Sequence, residues 1–180
     1  MRVPIPVNLV SYDAGWPNMA IKFSGQLRAL GDALITVHHI GSTSVAGMVA
    51  KPVIDLMPLV TNTDTLDAKR ETIEALGYAW HGEYGVKGRR FCTLAGEDGN
   101  RVAQLHFYVQ GSPNARRQLA FRDYLRAFPD VAAAYVVEKQ RACALFPDDS
   151  TAYSAEKGAW IREIEAKALD WFADDTDVVR

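Results

Sequence analysis

Apolar residues recur at helical spacing early in the chain, where Trp16, Met19, Ala20, Phe23, Leu27 and Leu30 fall on one face. Ser11, Tyr12 and Asp13 offer capping side chains upstream, Pro17 suits the first helical turn, and Gly31 is placed to end the helix. Gly25 inside it costs about 1 kcal/mol relative to alanine. Ahead of the helix, residues 7–10 read as a short strand or an arm. The pattern then changes. Residues 34–40 are rich in β-branched side chains and predict a strand that Gly41 stops. Residues 45–50 fit one helical turn or an irregular loop. Pro52 stands where strands tolerate proline, and residues 53–57 are apolar on both faces except for Asp55, which predicts a central buried strand. Thr63 or Asp64 caps a second amphipathic helix through Leu66, Ile73 and Leu76, ended by Gly77.

Residues 78–80 are a weak strand, and residues 89–95 and 101–110 are stronger ones joined through Asp98-Gly99, a hairpin signal. In the last strand Ala103, Leu105, Phe107 and Val109 share the core face, whereas Gln104, His106 and Tyr108 share the other. A hairpin makes the sheet at least partly antiparallel, which argues against a doubly wound fold. From Gly111 onward the pattern is helical. Ser112-Pro113 opens a helix to about Phe128, Pro129 opens another to about Leu145, and Pro147 closes that one. A last helix from about Ala152 carries Trp160, Ile164, Ala168 and Trp171, followed by a frayed tail over residues 174–180. The prediction is an α+β fold, with a mixed sheet and flanking helices in residues 1–111 and a helical part in residues 112–180 packed on that core.

Composition sets bounds on function. The net charge of −2 argues against a broad nucleic-acid footprint but leaves a local basic site open. Cys92 and Cys143 lack metal-type spacing, and buried free thiols in a cytoplasmic protein are expected rather than a disulfide. No apolar run approaches the roughly 20 residues of a membrane span, and the N-terminus has Arg2 but no apolar signal core.

Chemistry gathers around residues 38–44 and 51–55. Twelve residues separate Ser42 from Asp55, enough for a turn and one short helix, so backbone N–H groups, hydroxyls and a carboxylate come to one end of the sheet. A carboxylate in an apolar strand needs partners. Asp55 is either a ligand for Mg²⁺ or Mn²⁺ or a structural residue paired with Lys51, an arginine or backbone donors. Gly41, Ser42, Thr43 and Ser44 suit a phosphate, although the spacing is not that of a P-loop, and an ordinary strand-to-helix turn has the same composition. His38 and His39 point to opposite strand faces. His39 with His106 and Asp55 would make a two-histidine, one-carboxylate set, against the alternative of hydrogen-bonding core histidines. His81 reads as a loop residue. Arg89, Arg90, Arg116, Arg117, Arg122, Arg126 and Lys157 either bind an anion or form a solvated surface paired with Asp123 and Asp130. The candidate catalytic set is Asp55, His106 and His39. The candidate phosphate-binding set is Gly41, Ser42, Thr43, Ser44, Lys51, Arg122 and Lys157.

Several motifs together resemble a known family. Tyr12-Asp13 with Trp16-Pro17, residues 39–45 with Gly47, residues 51–55, Leu105-His106 and residues 121–126 look like the GrpB family, in order over about residues 7–171. Tyr153 and Lys157 resemble its C-terminal Tyr and Lys positions. The resemblance implies a nucleotidyltransferase-like mixed sheet flanked by helices, in a domain that also occurs fused to dephospho-CoA kinase. It implies a Gly-Ser turn, a strand with two acidic residues one apart, and a third carboxylate on a later strand. Gly41-Ser42 and Asp55 match, but the second acidic position is Met57, and the later strand has His106 and no carboxylate. Two-metal transfer needs ligands for both ions. Two functions are therefore expected as alternatives. One is a protein that binds a nucleotide or another phosphorylated small molecule, with Mg²⁺ or Mn²⁺ and nucleotidyl transfer as its enzymatic form. The other is a non-catalytic binding or folding-assistance module on a degenerate version of the fold.

Overall fold

The computed structural model describes residues 5–177, with side chains described as far as residue 173. Five strands form one mixed sheet in the order β1-β2-β5-β4-β3. The strands are β1 (Leu34–Ile40), β2 (Ile54–Val60), β3 (Tyr78–Trp80), β4 (Arg90–Ala95) and β5 (Arg101–Val109). β1 is antiparallel to β2, β2 is parallel to β5, and β5, β4 and β3 form an antiparallel meander. The hairpin between β4 and β5 turns at Gly99, whose φ of 77° suits glycine. The sheet is thus the predicted mixed one, with the parallel pairing of β2 and β5 at its centre.

One sheet face carries the main core. Ile54, Leu56, Leu105 and Phe107 have no exposed surface and pack against Trp16, Phe23, Leu27 and Leu30. The first helix is shorter than predicted. α1 (Trp16–Gln26) passes into a 3-10 segment, Leu27–Ala33, that contains Gly31 at φ 59°. Side chains three apart eclipse in a 3-10 helix, so Leu27 and Leu30 stay on the core face after the α-helical spacing ends. The arm before α1 joins the sheet side by an antiparallel bridge, Val10 to Ala50, and the helical part by backbone hydrogen bonds from the Val7 N–H to the Pro147 carbonyl and from the Ser150 N–H to the Ile5 carbonyl.

The predicted helix over residues 63–76 is two pieces, α2 (Thr63–Asp67) and α3 (Arg70–Ala75). Its cap is Asn62, whose Oδ1 accepts from the Thr65 N–H at 2.8 Å, rather than Thr63 or Asp64. The helical part holds α4 (Pro113–Ala127), α5 (Pro129–Leu145), α6 (Ser150–Glu156) and α7 (Gly158–Asp177). Ser112 precedes α4 but its hydroxyl makes no capping bond. The predicted last helix is also two, broken at Lys157-Gly158, and it extends through residues assigned to a frayed tail. Residues 178–180 of that tail and Arg2 lie outside the described residues. No described helix is long and apolar enough to cross a membrane.

The second sheet face is closed by α4. Ile40, Met57, Leu59 and Tyr108 pack with Ala115, and the Tyr108 hydroxyl is buried there without a hydrogen-bond partner among the described residues. An unpaired buried hydroxyl costs about 1–3 kcal/mol. Tyr108→Phe keeps the ring and removes that cost, so it should leave stability unchanged or raise it by about 1 kcal/mol. Urea unfolding checks this, and a midpoint lowered by the substitution would reveal a partner for the hydroxyl.

Candidate functional site

β1 ends at Gly41, where the backbone turns at φ 70° and ψ −176°, a conformation open essentially to glycine. The turn brings its backbone against the β2 carboxylate, since a Cβ built on Gly41 would lie 2.7 Å from Asp55 Oδ2 and 3.1 Å from Asp55 Cβ. Ser42–Ser44 form a 3-10 turn. The Ser44 hydroxyl donates to the Gly41 carbonyl at 2.6 Å, and Thr43 Oγ1 bonds His39 Nε2 at 2.9 Å, so both side chains brace the turn. Ser42 points elsewhere. Its Oγ accepts from Lys139 Nζ at 3.0 Å.

Gly41, Ser42, Thr43 and Asp55 line a cavity of about 210 Å³ that α5, α6 and the α6–α7 junction close from the other side. Three lysines, Lys51, Lys139 and Lys157, enter it, and Asp55 is the one acidic residue in its lining. Two tyrosines hold the lysines together. The Tyr153 ring lies 4.2 Å from Lys157 Nζ and 5.5 Å from Lys51 Nζ. The Tyr135 ring lies 4.7 Å from Lys139 Nζ and 5.7 Å from Lys157 Nζ. Such cation–π contacts offset part of the cost of drying an ammonium group. They do not offset all of it. Burial, with the nearby Lys157 charge, pulls Lys139 down to about 7. Burial and Lys51 pull Lys157 down to about 8, against the opposing pull of Asp55 and Glu138. Lys51 is also lowered by burial, against Asp55. Burial pushes the Tyr135 phenol up, partly opposed by its hydrogen bond with Ser42.

Asp55 and His106 meet, with His106 Nε2 at 3.2 Å from Asp55 Oδ1. The other imidazole nitrogen, Nδ1, faces Arg89 Nη1 at 3.4 Å. A guanidinium only donates, so Nδ1 accepts and Nε2 carries the proton that it donates to Asp55. His39 does not join them. Its cross-strand partner is Leu56, on the core face, whereas Asp55 pairs with Ile40. The β1 histidine on the Asp55 face is His38, two pairs further along opposite Met57. Arg122 does not reach the cavity either. It pairs with Asp123 at 2.7 Å and donates to the His39 carbonyl at 3.2 Å. Arg126 donates to the Ser44 carbonyl, so these two arginines fasten α4 to the turn. Lys51 donates to Ser150 Oγ at 3.0 Å rather than pairing with Asp55. Lys139 belongs to none of the sequence motifs. Its signal is its place on the buried stripe of α5, between Tyr135 four residues before and Ala142 three after.

The donor set does not fit the two cations of a nucleotidyltransferase. Among the described residues no group of three or more His, Cys, Asp or Glu side chains is placed to hold a metal. Met57 has no exposed surface, and both nitrogens of His106 are engaged.

The comparisons agree with the topology. Residues 6–167 match the family model described as GrpB protein. The chain belongs to the GrpB family. It is 37% identical over 166 residues to UPF0157 protein YqkA of Bacillus subtilis, covering 92% of this chain and 48% of that one. It is 31% identical over 197 residues to a protein named dephospho-CoA kinase from Mycolicibacterium paratuberculosis, covering 95% of this chain and again 48% of that one. The chain thus spans about half the length of these curated relatives. The crystal structure of GrpB from Enterococcus faecalis superposes at a TM-score of 0.85 with 32% identity, covering 92% of this chain and 99% of that one. The structure of Cid1 in complex with its short product ApU superposes at 0.50 with 12% identity, covering 72% and 41%, which places the GrpB sheet among nucleotidyltransferase-like folds.

Two predictions follow from this geometry. Gly41→Ala should cost about 1–3 kcal/mol, because the left-handed φ is strained and the new methyl group displaces Asp55. A thermal melt checks it, and an unchanged melting temperature would show that the turn relaxes freely. The second concerns pH. Lys139 is charged in the unfolded chain up to about 10.5, but in the fold it loses its proton near 7. The unfolded state therefore binds more protons between those values, and the Lys139 penalty fades as pH rises through that window. The stability of the wild type relative to Lys139→Met should rise from pH 7 to pH 9, by up to about 1.4 kcal/mol per pH unit. Paired melts read this difference, and a flat one would mean that Lys139 keeps its proton.

Proposed function

We propose that this GrpB domain binds a nucleotide or another phosphorylated small molecule at the Gly41 turn, as a binding module rather than a two-metal transferase. One observation carries the reading. Lys51, Lys139 and Lys157 converge on a single cavity beside the Ser42 hydroxyl, with one carboxylate to oppose them. Three lowered lysines are costly to bury, and an anion that compensates them gives that cost a use. The non-catalytic side of the reading is favoured by the buried Met57 and by the engaged nitrogens of His106. Mg²⁺ or Mn²⁺ enters only as a companion of the ligand's phosphates, with Asp55 as its single protein carboxylate. The likeness in sequence to a protein named dephospho-CoA kinase puts coenzyme A precursors among the first ligands to try. Cytoplasmic residence fits the two free cysteines, of which Cys92 is buried with its thiol pushed up to about 12 by that burial.

The test is a thermal-shift screen of nucleotides and coenzyme A precursors, followed by calorimetry with EDTA, Mg²⁺ or Mn²⁺. Binding should survive EDTA. Asp55→Asn keeps an oxygen that accepts from His106 Nε2 and removes the opposing negative charge. It should fold and bind the ligand several-fold more tightly in EDTA. A wild type that binds only with metal, and an Asp55→Asn variant that then binds nothing, would make Asp55 a metal ligand and overturn the module reading.

A further inference from the structure

The lysine cavity has a definite capacity, in charge, donors and volume. Each ammonium group carries three donors. Lys139 directs one to Ser42 Oγ and one to the Val49 carbonyl, leaving one. Lys51 directs one to Ser150 Oγ, leaving two. Lys157 donates to no acceptor among the described residues; its ammonium is held only over the Tyr153 and Tyr135 rings. Its place in the fold is fixed by the break between α6 and α7, where the chain interrupts a helix to point this side chain inward. Unspent donors from three directions face one space.

The charges lining that space are three ammonium groups and one carboxylate, a net +2 when all are protonated. At about 210 Å³ the space is smaller than the roughly 300–1,000 Å³ of pockets that enclose a whole drug-sized ligand. It holds a head group, and the remainder of the ligand stays outside. A phosphomonoester carries about −1.5 to −2 at pH 7 and three strong acceptor oxygens. A phosphodiester carries one negative charge and two free oxygens, and would leave a buried ammonium uncompensated.

Resting on the phosphorylated-ligand reading above, we infer that the cavity formed by Lys51, Lys139 and Lys157 against the Gly41–Ser42 turn recognises a terminal phosphomonoester, inserted phosphate first, and discriminates against diesters. Recognition then lies in the phosphate and not in the base or sugar. Binding also draws in protons. The groups that face Lys157 and Lys139 are Lys51, Asp55, Glu138, Tyr135 and Tyr153, so a dianion becomes the dominant charge beside lysines that are partly neutral near pH 8.

The experiment is calorimetry of the whole chain with inorganic phosphate, phenyl phosphate and dimethyl phosphate, each also used to compete with a bound nucleotide. Phenyl phosphate should bind at least tenfold more tightly than dimethyl phosphate. Its heat at pH 8 should vary with the ionisation enthalpy of the buffer in the sense of proton uptake. Lys157→Met removes no hydrogen bond, so it should melt near the wild type and bind phenyl phosphate at least tenfold more weakly; Lys51→Met is the second variant should the first fail to fold. Equal affinity for monoester and diester, or unchanged binding by a folded Lys157→Met, overturns the inference. If nucleotides bind but phenyl phosphate does not compete, the inference fails while the phosphorylated-ligand reading stands. If neither nucleotides nor phosphates bind, both fall.

Discussion

The contact between the Gly41 backbone and the Asp55 carboxylate sets the geometry of the site. Two strands meet there in antiparallel register, Ile40 opposite Asp55, and the chain must leave β1 at that level without a side chain in the way. Only glycine meets both demands, a left-handed φ and the absence of a Cβ. Once the turn is fixed, the rest is placed by it. Thr43 is held by His39 from the core face, Ser44 closes on Gly41, and Arg126 ties the turn to α4. Ser42 is left to face the cavity, where it meets Lys139 from α5.

The helical part supplies what the sheet lacks. A sheet end whose one carboxylate offsets Lys51 has little attraction for an anion. Lys139 and Lys157 come from α5 and the α6–α7 junction and make the site net positive. That arrangement works against stability, since buried ammonium groups lose solvation that tyrosine faces restore only in part. The stacked pair of Tyr135 and Trp160, with centroids 4.9 Å apart and nearly parallel planes, keeps one of those faces rigid. A rigid ring holds the lysines near one another when no ligand separates their charges.

Much of the fold was legible in the sequence because period and punctuation agreed. The β-branched run of β1, the hairpin at Gly99 and the prolines opening α4 and α5 each gave one local instruction. The errors came where tertiary contacts or 3-10 geometry replaced the α-helical period. Leu27 and Leu30 satisfy both periods, so the end of α1 was invisible. Asn62 captured a cap that Thr63 and Asp64 also offered. In the site, the Gly41 turn and Asp55 could be read because they lie close in sequence. The geometry separated His39 from Asp55 because alternation puts neighbouring strand residues on opposite faces, and one register step decides the face. Arg122 looked like an anion ligand from its charge alone, but its guanidinium is turned to the adjacent Asp123 and the His39 carbonyl and does not line the cavity. Lys139 stands in no motif, and a lysine on a helix is ordinary until its neighbours show that the face is buried.

The same register explains why the fold lacks the second acid of a nucleotidyltransferase. On β2 the side chain two residues after Asp55 enters the apolar layer under α4, with Ile40, Leu59, Tyr108 and Ala115 around it. A carboxylate at position 57 would be cut off from water there, and its desolvation would be severe. Methionine suits that space, being flexible and apolar. On β5, His106 takes the place where a further carboxylate would repel Asp55, and donates a hydrogen bond to it instead. The site is therefore consistent within itself. The side chains that a pair of cations would need are replaced by ones that keep a single carboxylate oriented, and positive charge arrives from the lysines.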